Sequence, residues 1–74
     1  MNAKIKIPTM DGILKFVRAS EHNKTCVLVA KEGFSRTIDA SSLLAMTAFL
    51  ATVIVVHYDS CTEELQQLIR VFSV

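Results

Sequence analysis

Residues 52–72 read TVIVVHYDSCTEELQQLIRVF, and this stretch decides the fold. Its first part, Val53-Ile54-Val55-Val56, is an unbroken apolar run of β-branched residues. Such a run, apolar on both faces, predicts a central strand or one covered by helices. Asp59-Ser60 breaks it. Ser60-Cys61-Thr62-Glu63 then has the pattern of a capping box, serine followed three residues later by glutamate. Leu65, Leu68, Ile69 and Phe72 follow at i, i+3, i+4 and i+7, the spacing of one face of an amphipathic helix. A central strand feeding directly into a helix places the helix against the sheet.

Working outward, Lys4-Ile5-Lys6-Ile7 alternates polar and apolar, the period of a strand with one wet face. Pro8 ends it, because proline has no N–H for a ladder. A helix is predicted from about Thr9–Gly12, with Asp11 as a possible cap and Ile13, Phe16, Val17 and Ser20 along its buried stripe, widened by Leu14. It ends near His22-Asn23, where asparagine tolerates the left-handed conformation. Thr25 to Lys31 reads as a strand, Glu32-Gly33 as a turn, and Phe34 to Asp39 as the returning strand of a hairpin. Ala40-Ser41-Ser42 opens a short apolar segment from Leu43 to Leu50. Either serine can cap it, and leucine, alanine and methionine favour helix there.

The order β-α-β-β-α-β-α predicts one α+β domain spanning residues 1–74, an open-faced β-sandwich with one mainly antiparallel sheet and its helices on one face. Alternate strand residues then face away from the helices, with Val27, Val29, Val53 and Val55 as possible members of that open face. At 74 residues and 51% hydrophobic content the chain is long enough for one core, with a little apolar surface left for a partner or a second copy. Eight basic and seven acidic residues leave a net charge of +1 with no basic stripe, so neither nucleic acid nor an anionic membrane is an expected partner. Cys26 and Cys61 form no C-x-x-C and lack the further thiols of a zinc site, so both are expected to be small, partly buried residues in a reducing cytosol. The N-terminus lacks a signal-peptide core and residues 43–56 are too short and too interrupted to span a bilayer, so a cytoplasmic protein is expected.

Local motifs carry a resemblance. Ile13-Leu14-Lys15-Phe16-Val17 is similar to the first-helix segment of the histidine-containing phosphocarrier (HPr) proteins. Ile38-Asp39-Ala40-Ser41-Ser42-Leu43 resembles the start of their second helix, Thr52-Val53-Ile54-Val55 their fourth strand, and Asp59 to Phe72 their last helix. The match covers about residues 4–72. It implies a sheet of order 1-4-2-3 with three helices on one face, and a phosphoryl-accepting histidine at the mouth of the first helix. By register the histidine position falls on Thr9, the arginine position on Asp11 and the proline position on Gly12. A threonine hydroxyl offers no nitrogen for a phosphoramidate, and Asp11 repels an incoming phosphoryl group where arginine attracts it. The resemblance therefore implies a relative of the sugar phosphotransferase carrier without its histidine chemistry, acting as a regulatory or protein-binding module. It implies no cofactor.

The family's regulatory serine falls on Ser42, readable either as a helix cap or as a phosphosite. The first two helices form the family's docking surface, which makes Leu43, Met46 and Phe49 candidate contacts for a protein partner or a homodimer. His22 and His57, the only histidines, are expected at a helix C-terminus and a strand end, with no metal site between them. No paired carboxylates or nucleophile–base constellation mark an enzyme. The alternatives are a phosphocarrier using His22 or His57 instead, and a ligand-binding domain of ACT or ferredoxin-like type, or a homodimeric structural domain. The ferredoxin type would give a sheet of order 4-1-3-2.

Overall fold

A computed structural model describes residues 2–74 of the chain. The elements run β1 (Asn2–Lys6), α1 (Met10–His22), β2 (Leu28–Lys31), β3 (Ile38–Asp39), α2 (Leu43–Thr47), β4 (Val53–His57) and α3 (Glu63–Phe72). They form one four-stranded sheet of order β1-β4-β2-β3, with every neighbouring pair antiparallel. This is the expected 1-4-2-3 order and not the ferredoxin order.

The Val53–Val56 run is central, as its composition requires: β4 pairs with β1 on one side and β2 on the other. Its two faces are not equally buried. Ile54 and Val56 lie in the core at 1% and 0% exposure, facing the helices with Ile5 and Val29, whereas Val53 and Val55 are half-buried. Val27 and Val29 were expected on the open face but belong to the core. The register explains this, since Val29 pairs with Val56 and so shares its face. The open face instead carries Val53 and Val55 with Lys4 and Lys6 opposite them on β1. Lys4 Nζ reaches Glu32 Oε2 across it (2.7 Å).

Several boundaries differ from the periodicity reading. The β2–β3 hairpin pairs over only two positions, Leu28 with Asp39 and Val29 with Ile38. Gly33, at φ +86°, makes the turn that glycine permits, and Phe34 N–H donates to the Lys31 carbonyl (2.9 Å). Residues 34–37 then leave the ladder, all exposed. Ser35-Arg36-Thr37 has no apolar alternation to bury, so nothing holds this run against the sheet. In α1, Leu14 is 46% exposed and lies outside the buried stripe, while Ala19 joins it. Thr62 rather than Ser60 caps α3, its Oγ1 accepting from Leu65 N–H (3.3 Å).

At the far end, the chain after α3 returns to the sheet. Ser73 forms a bridge with Ile5, and Val74 N–H donates to the Lys4 carbonyl (3.2 Å), so the outer edge of β1 is covered.

Candidate functional site

The mouth of α1 is built by Pro8 leaving β1 and Thr9 entering the helix with extended backbone (φ −129°, ψ 154°). Thr9, not Asp11, is the N-cap: Thr9 Oγ1 accepts from Gly12 N–H (3.1 Å) and the Thr9 carbonyl from Ile13 N–H (3.1 Å). Asp11 already lies inside the first turn, where a carboxylate is favoured by the helix dipole, and Asp11 Oδ2 pairs with Lys15 Nζ one turn on (3.2 Å). The third position, Gly12, is buried. A Cβ there would lie 2.7 Å from Ile7 Cγ2 and 3.0 Å from Phe72 Cζ. The last turn of α3 thus closes the mouth on the side of Gly12. Chemically, this end of α1 offers a hydroxyl already accepting a backbone N–H and a carboxylate whose cation is one turn away.

Neither histidine is near it. His22 ends α1, about 18 Å along the helix axis from Met10 at 1.5 Å per residue. Its Nδ1 lies 3.4 Å from Glu64 Oε1, with both side chains more than half exposed. His57 ends β4 opposite Asn2, at the start of β1, while the mouth follows the end of β1. The His57 Nδ1–H donates to Asn2 Oδ1 (2.8 Å).

Around His57 lies a second set of reactive types. Asn2, Cys26, His57 and Asp59 line one hollow of about 300 Å³. Cys26, expected to be partly buried, is exposed, because it precedes β2 on the side away from the helices. Among the described residues no hydrogen bond joins its thiol to His57, whose Nδ1 is taken by Asn2. No group of three His, Cys, Asp or Glu side chains among the described residues is placed to hold a metal ion.

Ser42 is the N-cap of α2, its exposed hydroxyl accepting from Ala45 N–H (3.4 Å). Just before it, Asp39 Oδ1 accepts from both Ser41 N–H (2.9 Å) and Ser41 Oγ–H (2.7 Å). These two hydrogen bonds hold the Asp39 carboxyl below its ordinary value of 3.8, the backbone bond contributing most. The carboxylate is thus fixed on Ser41, the residue before the cap. Ser41 shares a hollow with Ser20, Glu21 and Asn23 at the C-terminal end of α1, so Thr9 and Ser42 are not brought into one site.

The three candidate contacts separate. Leu43 is 41% exposed and Phe49 is half-buried against the core. Met46 is fully buried and cannot serve as a surface contact; α2 is only five residues long, and its single buried position is Met46. The most exposed large apolar residue of this helix is Leu44, at 86%, which the sequence pattern did not single out. Sequence reasoning also missed a hollow of about 210 Å³ lined by Lys31, Phe34, Arg36, Ile38 and Phe49. The only signal for it was a phenylalanine directly after the Gly33 turn, between Lys31 and Arg36.

No helix among the described residues is long and apolar enough to cross a membrane. Compared with known proteins, the chain matches no family model and no curated protein.

Proposed function

We propose that this chain is an HPr-like protein-binding or regulatory module that does not accept phosphate on histidine. The observation that carries this reading is the mouth of α1. The hydroxyl of Thr9 caps Gly12 there, Asp11 brings negative charge, and both histidines lie at the other end of the molecule. The sheet order 1-4-2-3 supports it, being the order that the resemblance implies. Histidine-type phosphoryl transfer needs an imidazole nitrogen with cationic or N–H stabilisation of the incoming charge. His22 faces Glu64, and His57 is held by Asn2, so neither histidine has that environment. We assign Ser42 the role of helix cap, because its hydroxyl accepts from Ala45 N–H at the start of α2.

Incubation with a phosphoenolpyruvate-driven phosphotransfer system tests this reading. The expected result is no acid-labile phosphate on the chain. Phosphohistidine at His22 or His57 would reject it.

A further inference from the structure

The two edges of the sheet are treated differently. The β1 edge is covered by Ser73 and Val74. At the other edge β3 is the outermost strand, and no strand among the described residues lies beyond it. β3 is only two residues long and the Asp39 carbonyl already accepts from Ser42 N–H (3.1 Å), so this edge offers little backbone to an added strand and a partner here must be held by side chains.

Beside this edge lies the hollow formed by Phe34, Ile38 and Phe49 with Lys31 and Arg36. Phe34 is 63% exposed, and the Lys31 ammonium stands 5.3 Å from its ring centroid. Two cations thus border an apolar floor, and no carboxylate lines it. Of the acids that flank this segment, Glu32 pairs with Lys4 on the open sheet face, while Asp39 keeps its charge but is held by Ser41 and does not line the hollow. Neither Lys31 nor Arg36 forms an ion pair among the described residues. At about 210 Å³ the hollow is smaller than a typical small-molecule pocket of roughly 300–1,000 Å³ and suits one apolar side chain.

We infer that the hollow beside β3 is a docking site for an acidic peptide, which places one apolar side chain over Phe34, Ile38 and Phe49 and sets flanking carboxylates against Lys31 and Arg36. The charge complementarity names the partner's sign, and the size of the hollow names its single apolar anchor. The inference rests on the reading of the chain as a protein-binding module and gives that module a surface away from the mouth of α1.

The test is an NMR titration of the isotope-labelled full chain with three probes. These are a blocked peptide Asp-Glu-Leu-Glu-Asp-Glu, its counterpart with lysine at every acidic position, and vesicles of anionic phospholipid. The acidic peptide is expected to shift the amides of residues 34–39 and Phe49, with the lysine peptide inert. Phe34→Ala should weaken binding about tenfold, and Arg36→Glu should abolish it. Both side chains are exposed, so the variants should melt like the parent. No response at millimolar acidic peptide, equal binding of the lysine peptide, shifts confined to another face, or a response to vesicles alone would each overturn the inference. Those failures leave the absence of phosphohistidine untouched, while phosphohistidine formation would reject the functional reading whatever the titration gives.

Discussion

The two ends of α1 are finished in opposite ways. At the N-terminal end a single hydroxyl, Thr9 Oγ1, meets one backbone N–H, and side-chain packing by Ile7 and Phe72 does the rest. At the C-terminal end polar bonds dominate. Asn23 Nδ2 donates to the carbonyls of Thr25 (3.0 Å) and Ser60 (2.8 Å), and Asn23 Oδ1 accepts from Thr62 N–H (2.9 Å). That one amide joins the end of α1, the approach to β2 and the cap of α3, segments up to 39 positions apart. A packed end tolerates loss of a polar group and resists added bulk. A hydrogen-bonded junction behaves in the reverse way. The lesson for function is that the end where the resemblance places chemistry is the one with few polar groups.

Asn23→Ala gives the largest test of this contrast. It removes three well-formed bonds at a partly buried site, and at about 1 kcal/mol each the expected loss is about 2–3 kcal/mol in a denaturant melt. A loss below about 0.5 kcal/mol would show that water replaces the side chain and that the junction does not hold α1 to α3. Gly12→Ala follows. Alanine gains about 1 kcal/mol of helix propensity, but its Cβ would sit 2.7 Å from Ile7 Cγ2 and 3.0 Å from Phe72 Cζ. Overpacking costs about 1–3 kcal/mol, so a net loss of about 1 kcal/mol is expected. A gain in stability would mean that Phe72 yields easily and that the mouth is less closed than its contacts indicate.

Both positions show what a sequence discloses. The strand Val53–His57 and the helix Glu63–Phe72 were legible because each carries a period that burial alone produces. The sheet order followed from the element order and the resemblance together. Asn23 was legible as a helix end but not as a junction. It was expected to adopt the left-handed conformation, yet its backbone is extended (φ −75°, ψ 142°) and its side chain reaches Ser60 and Thr62. No local pattern encodes a bond across 37 residues. Met46 failed for a related reason. In a five-residue helix there is no full period to tell the inward position from the outward one, so the pattern marks Met46 as a surface contact and passes over the exposed Leu44. Of the site, the absence of histidine at the mouth of α1 was plain in the sequence. The hollow beside β3 depends on how the chain leaves the ladder after Gly33, which composition does not set.

Thr9→Ala isolates the polar part of the packed end. Loss of an N-cap oxygen costs about 1 kcal/mol, and Thr9→Ser should recover most of it because serine supplies the same acceptor. If alanine costs nothing, the mouth is held by packing alone and its hydroxyl is available for other chemistry.

The smallest expected effect lies beside the hydrogen-bonded end, at Asp39. Its hydrogen bonds from Ser41 N–H and Oγ–H are made best by the ionised carboxylate, so the folded-state value is lowered from 3.8. A lowered value means that the folded chain holds this proton less tightly than the unfolded chain. The stabilisation is therefore complete above about pH 5, declines as pH falls through the ordinary carboxylate range, and is gone below the folded value. Since the carboxylate is exposed, screening keeps the contribution below about 1 kcal/mol. Asp39→Asn keeps one acceptor oxygen but removes the charge. The melting temperature of this variant should fall less steeply between pH 5 and pH 3 than that of the parent. Identical slopes would mean that Ser41 binds the neutral and charged forms alike.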